Sequence, residues 1–320
     1  MSFASMVNNK KVSALVANVG KAVVGKKGAA ELVVTALLCR GHILIEDVPG
    51  VGKTSLVLAI ARSLGLNFRR IQFTPDVMPS DLTGYTMYDL NEKRYVYHPG
   101  LLAADFVLAD EINRASPKTQ SALLEAMEER QVTVDGRSYP LSPSFLIAAT
   151  ENPVDLQGTY PLPEAQLDRF FLKIRLGYPE IADETAILKM HMQKESVVAA
   201  RPQVITAEEL AAMQADVLNV ACNDKILHYI AELAAATRAS RDLALGLSPR
   251  GAIALMRAAQ ASAYLEDRTF VTPDDVRKMT PFVVNHRLVL KKEAIIAGKS
   301  AGAIMSTIAM SASIPTLDIS

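Results

Sequence analysis

The spacing of apolar residues changes character partway along this chain, and the change divides it. Up to Gly177, short apolar runs recur between stretches with helical spacing, the pattern of strands and helices alternating around a parallel sheet. The candidate strands are Ile43–Glu46, Phe68–Phe73, Phe106–Ala109, Phe145–Ala149 and Phe171–Leu176. Three of them (ILIE, FVLA, FLIAA) are almost wholly apolar, as a strand covered on both faces must be. The other two alternate. In FLKIRL, Leu172, Ile174 and Leu176 share one side and Lys173 and Arg175 the other; FRRIQF carries Arg69, Arg70 and Gln72. These two are predicted at the sheet edges, where charge discourages pairing with another chain.

Two hairpins are expected to interrupt the alternation. Gln131–Val134 and Arg137–Leu141 flank Asp135-Gly136, a two-residue turn suited to positive φ at both positions. A second hairpin is read over Tyr85–Tyr97 around Asn91-Glu92-Lys93. Its tyrosines, Tyr88, Tyr95 and Tyr97, suit either cross-strand packing or an exposed grip on another molecule.

Beyond Gly177 the pattern turns helical. Thr206-Ala207-Glu208-Glu209 has capping-box spacing, Asn223 can cap the next helix, and Ser248-Pro249 opens another. The expected division is therefore an α/β unit over 1–177 and a smaller all-α unit over 178–320. Ala294 to Ile314 carries one charge, Lys299, but its Gly, Ala, Ser and Thr content is too high for a membrane span. It reads as the last helix and a tail.

Composition narrows the classes. A chain of 320 residues suits about two domains. Thirty-four basic residues balance thirty-four acidic ones, so the broad basic field that favours nucleic acid is missing, and no nucleic-acid partner is expected. Cys39 and Cys222 form no CxxC or zinc pattern, and Lys10 and Lys11 precede no apolar leader, so a reduced, cytoplasmic setting is expected.

The chemistry lies at the ends of two strands. Asp47-Val48-Pro49-Gly50-Val51-Gly52-Lys53-Thr54, with Ser55 after it, follows HILIE and opens a helix, the context a phosphate-binding loop requires. Backbone N–H groups and a helix N-terminus would capture phosphate, with Gly50 and Gly52 allowing close approach. Lys53 would reach β- and γ-phosphates, and the Thr54 hydroxyl would bind Mg²⁺. Asp47 stands where the motif usually has its first glycine. Aspartate tolerates left-handed backbone, and its carboxylate is expected to point away from the phosphates. Phe106–Ala109 runs into Asp110 and Glu111, placing two carboxylates at the strand end that faces ligands in such sheets. Asp110 suits holding Mg²⁺ and Glu111 orienting the attacking water. The helix after them starts at Ser116-Pro117 with Leu123, Leu124 and Met127 as core; Arg114 before it reads as solvated or as a contact to a neighbouring subunit.

GHILIEDVPGVGKT, LADEINRASPKTQSALLEAMEE, ATENP, YPLPEAQLDRF and LSPRG, in this order, closely resemble the MoxR branch of the AAA+ ATPases, a member of the helix-2-insert clade. The resemblance runs from Val23-Val24-Gly25 to PFVVNHRLVLKKEA. It implies a P-loop domain whose parallel sheet has the order 5-1-4-3-2, with hairpin inserts and a helical lid. It implies that Val24 and Gly25 touch adenine and that Asn152 is sensor 1. Arg169 would be an arginine finger offered to the adjacent subunit, and Arg250 the sensor-2 residue reaching from the helical domain to the γ-phosphate. It further implies a homo-oligomeric ring, usually hexameric, acting on a protein client, often with a protein containing a von Willebrand A domain. The function so implied is an ATP-hydrolysing, chaperone-like machine that remodels, activates or metal-loads its partner. The alternatives are a nucleotide-gated scaffold with little turnover and a nucleic-acid motor.

Overall fold

The charged strands do lie at the two ends of the sheet. The computed structural model describes residues 3–153, 158–192 and 203–316. Helices α1 (Phe3–Ala22) and α2 (Lys27–Leu38) precede β1 (Ile43–Glu46), α3 (Lys53–Ser63) and β2 (Phe68–Gln72). The short α4 (Pro79–Thr83) leads into the first hairpin, β3 (Gly84–Asp89) and β4 (Arg94–Pro99). Strand β5 (Phe106–Asp110) is followed by α5 (Pro117–Glu129) and the second hairpin, β6 (Gln131–Val134) and β7 (Arg137–Pro140). Strand β8 (Leu146–Glu151), α6 (Glu164–Leu167) and β9 (Leu172–Ile174) complete the α/β part.

Its strands pair in parallel in the order β2-β5-β8-β1-β9, the expected 5-1-4-3-2 arrangement. Alternation along each strand separates two cores. Ile43, Ile45, Phe106 and Leu108 join one, while Leu44, Val107 and Ala109 join the other, with Leu123, Leu124 and Met127 of α5. Complete burial of each larger apolar side chain among these, Ala109 excepted, contributes roughly 1.5–3 kcal/mol. The predicted Asp135-Gly136 turn has positive φ at both residues, 49° and 73°.

The strand predicted over Phe171–Leu176 pairs only at Leu172–Ile174. The physical reason is a side chain: the N–H groups of Leu176 and Gly177 donate to the Asp47 carboxylate, at 2.5 and 2.7 Å, and not to a neighbouring strand.

The helical part comprises α7 (Ile181–Met192), α8 (Ala207–Leu218), α9 (Asp224–Ala239), a short strand β10 (Leu243–Leu245), α10 (Pro249–Leu265) and α11 (Pro273–Val284). Strand β11 (Val289–Leu290), which pairs with β10, is followed by α12 (Lys292–Ile296) and α13 (Ala301–Ser311). The predicted caps form: Thr206 with Glu209, Asn223 on the N–H of Lys225, Ser248 on the N–H of Gly251. The single terminal helix expected near Ala294–Ile314 is instead two, because Gly298 takes φ 72° and Ser300 caps a new start. Among the described residues, no helix is long and apolar enough to cross a membrane.

Candidate active site

The glycine-rich turn between β1 and α3 is built as a cradle. Gly50 and Gly52 have φ of 85° and 92°, and Gly52 is the N-cap of α3 with no side chain covering the helix N–H groups. A cavity of about 350 Å³ opens there, lined by Pro49, Gly50, Gly52, Lys53, Thr54, Ser55, Arg70, Gln72, Asp110 and Glu111. Lys53 and Thr54 from the start of α3 and Asp110 and Glu111 from the end of β5 therefore share one cavity. The Lys53 ammonium donates to the Asp47 carbonyl at 2.9 Å, turned back along the loop.

Asp47 does not use left-handed backbone, contrary to the reason expected for its presence; it is absent from the positive-φ residues. It is a clamp. Oδ1 accepts the Val48 N–H at 2.9 Å, and Oδ2 accepts the N–H groups of Leu176 and Gly177. The carboxylate thus faces the chain leaving β9, away from the cradle.

The acidic pair is fixed by Thr150 on β8, fully buried, which donates to Asp110 Oδ1 at 2.6 Å and accepts the Glu111 N–H at 2.8 Å. Glu111 sits at φ 57°, a left-handed conformation that costs a non-glycine residue of order 1 kcal/mol and turns its side chain out of the strand direction. Its carboxylate pairs with Arg114, whose side chain is 41% exposed, at 2.8 Å. Arg70, on the edge strand, holds Asp110 Oδ2 through Nη2 at 2.6 Å and Nε at 3.1 Å, and donates to Gln72 at 2.9 Å. Thr150, Arg70 and Gln72 were missed in the sequence. The one signal for Arg70 and Gln72 was their shared side of an alternating strand.

A neighbouring cavity of about 210 Å³ shares Gly50, Gly52 and Ser55 with the first and adds Val23, Val24, Lys26, Val51, Pro179, Ile187 and Met190. Its apolar walls, continuous with the phosphate cradle, suit a flat base. Val24 lines it. Gly25, at φ 74°, lies so close to Asp183 that an added Cβ would fall 2.0 Å from Oδ2. Asn152 follows β8, between the strands that carry the loop and the acidic pair. Glu151 beside it is raised above its ordinary pKa by burial, against the pull of Lys173. A larger cavity of about 690 Å³ between α1, α2, α10 and α11 shares no lining residue with the glycine-rich turn or the acidic pair.

Arg169 and Arg250 are elsewhere. Both line a fourth cavity with Arg40, Glu128, Arg130, Asp168 and Arg287, and it shares no lining residue with the glycine-rich cradle. Glu128, near the end of α5, accepts one arginine on each oxygen: Arg250 Nη1 at 2.9 Å and Arg169 Nε at 3.2 Å. The glycine-rich cradle and the pair Arg169 and Arg250 are therefore separate places on the surface of one chain.

Magnesium takes oxygen ligands and is rarely caged by protein alone. The Thr54 hydroxyl and the Asp110 carboxylate are such donors in one cavity, and among the described residues no group of three or more His, Cys, Asp or Glu side chains could hold a metal by itself. The donor set fits an ion shared with a bound phosphate.

Residues 42–172 match the family described as "ATPase family associated with various cellular activities (AAA)", and residues 235–308 match "AAA lid domain". The chain is 37% identical to "Chaperone MoxR1" of Mycobacterium tuberculosis over 310 residues, 94% of this chain and 81% of that protein. It is 49% identical to "Uncharacterized protein YeaC" of Bacillus subtilis over 300 residues, 94% and 93% of the two chains. The crystal structure of a protein assigned as an ATPase from Cytophaga hutchinsonii superposes with a TM-score of 0.90 at 37% identity, covering 98% of this chain and 97% of that one.

Proposed function

The chain belongs to the MoxR-type AAA+ ATPases, chaperone-like proteins, and from that premise we propose that it hydrolyses Mg²⁺-ATP between adjacent copies of itself to change the shape of a partner protein. Residues 1–177 are the nucleotide-binding unit in this reading and 178–320 the lid.

Lys53 and the backbone of Gly50, Val51 and Gly52 bind the phosphates, with Val24 and Gly25 beside the base. Thr54 and Asp110 would hold the magnesium ion, which when bound supplies positive charge to the β- and γ-phosphates. Glu111, its backbone fixed by Thr150, orients the attacking water with Asn152. Arg169 and Arg250 present planar, permanently charged forks to the γ-phosphate of the next protomer. The observation that carries the reading is the separation of the two arginines from the chain's own cradle, together with their convergence on one carboxylate. A carboxylate with an arginine on each oxygen is a small internal stand-in for a phosphoryl group. A second copy, in a closed ring such as a hexamer, completes both halves of the site.

Phosphate release tests it. Glu111→Gln should bind ATP without turning it over, and Lys53→Ala should fail to bind. Arg169→Ala should bind but not turn over, and mixing it with Lys53→Ala should restore activity at interfaces that join a sound cradle to sound arginines. Turnover at the wild-type rate by Arg169→Ala would overturn the shared site. Glu111→Gln trapped with ATP should retain the client on purification, directly or through a protein with a von Willebrand A domain.

A further inference from the structure

Arg169 and Arg250 come from parts of the chain about 80 residues apart, yet they reach Glu128 together. That meeting cannot hold itself. Their side chains are 29% and 48% exposed and that of Glu128 37%, and ion pairs so open to water contribute about 0–1 kcal/mol. Something buried must bring the two arginines into register.

We propose that Asp168 is the positioning residue that locks Arg169 and Arg250 into one phosphate-receiving unit, with Arg287 as its buried counter-ion; the inference rests on the reading that these arginines serve a neighbour's nucleotide. Asp168 immediately precedes Arg169. Its Oδ1 accepts Arg287 Nε at 2.7 Å, and its Oδ2 accepts the Ser248 hydroxyl at 3.0 Å. Ser248 in turn accepts the Gly251 N–H at 3.0 Å as the N-cap of α10, and Arg250 is the second residue of that helix. One carboxylate thus joins the turn that carries the first arginine to the cap that orients the second.

Arg287 anchors the joint from the lid. Its side chain is 3% exposed, and beyond Asp168 it donates to the carbonyls of Phe170 at 2.5 Å, Phe171 at 3.3 Å and Val283. It also donates to the Asp168 carbonyl at 3.4 Å, so the guanidinium grips the backbone on both sides of Arg169. Gly251 permits the approach: a Cβ there would stand 3.0 Å from Arg287 Cδ and 2.4 Å from Leu247 Cδ1. An ion pair like this one, with Arg287 3% and Asp168 25% exposed, adds little net stability over apolar residues of the same volume. What it supplies is geometry, and phosphoryl transfer is sensitive to the placement of arginines.

Asp168→Asn should leave nucleotide affinity near wild type while lowering kcat by roughly 10²-fold. It also strands a buried arginine, which destabilises the fold, so Asp168→Asn/Arg287→Met provides the control. With both charges gone, the melting temperature should return toward wild type while kcat stays low; recovery of kcat along with stability would overturn the proposal. Mixing Asp168→Asn with Lys53→Ala should restore turnover, since the second protein contributes intact arginines to the first protein's cradle. Failure of that mixture, where Arg169→Ala with Lys53→Ala succeeds, would show a defect outside the arginine unit and also overturn it. If Arg169→Ala alone turns over normally, the shared-site reading falls, and the proposal falls with it.

Discussion

The Asp47 carboxylate accepts the backbone N–H of Gly177 at 2.7 Å, tying the phosphate loop to the point where the chain leaves the sheet for the lid. The same oxygen takes the N–H of Leu176, so one side chain terminates β9 and braces the loop. Asp47→Ala should leave these N–H groups without their acceptor and lower stability by about 1–3 kcal/mol. Urea unfolding measures it. A variant as stable as wild type would mean the clamp is dispensable.

Arg70 shares a carboxylate with the proposed metal position. Its pair with Asp110, about half exposed on the arginine side, is worth about 1 kcal/mol. Removing the competing cation by Arg70→Gln should lower, by about fivefold, the magnesium concentration at which fluorescent nucleotide binding is half-maximal. An unchanged or raised midpoint would argue that Arg70 assists binding.

His42 should make the fold acid-labile. Burial, reinforced by the Arg130 charge, brings its pKa down to about 4 from 6.5. Nδ1 accepts the Ile147 N–H at 3.0 Å, so Nε2 carries the proton donated to Met127 O, also 3.0 Å away. The folded state favours the neutral ring. Its contribution is therefore complete above pH 6.5 and is lost as pH falls from there toward 4. Between pH 7 and pH 5 the loss should be about 2 kcal/mol. Buried His286, also lowered, acts in the same direction, so the comparison is with His42→Gln, whose stability should fall less across that interval. Equal pH slopes would exclude a titrating His42.

The hairpin tyrosines separate into two kinds. Tyr97 stacks on Tyr139 of the second hairpin at 3.7 Å between ring centroids and donates to Thr83 O at 2.6 Å. Tyr95 is 71% exposed and meets only the edge of Tyr88 among aromatic rings of the described residues. Tyr139→Ala should therefore lower the melting point, by the equivalent of at least about 1 kcal/mol, while Tyr95→Ser should leave it unchanged. Equal effects in thermal melts would erase the distinction between a packing tyrosine and one free to grip.

Much of the site was legible because its parts are local. Gly50, Gly52, Lys53 and Thr54 lie within one turn, and Asp110 and Glu111 close one apolar strand, so strand and helix geometry alone aims them at the same end of the sheet. The edge strands were legible for a similar reason, since Arg69, Arg70, Lys173 and Arg175 could not be buried on both faces.

What only the tertiary structure decided is which distant side chains meet. Thr150 and Arg70 each reach Asp110 across 40 positions, Asp47 closes on Gly177 across 130, and Arg287 finds Asp168 across 119. In the sequence, Arg287 is one more basic residue near a helix end, and Glu128 one more acid on an exposed face. Their pairings depend on strand register and on how the helical part seats against the sheet. Those are set jointly by many apolar contacts, none of which is visible beside the residues they bring together.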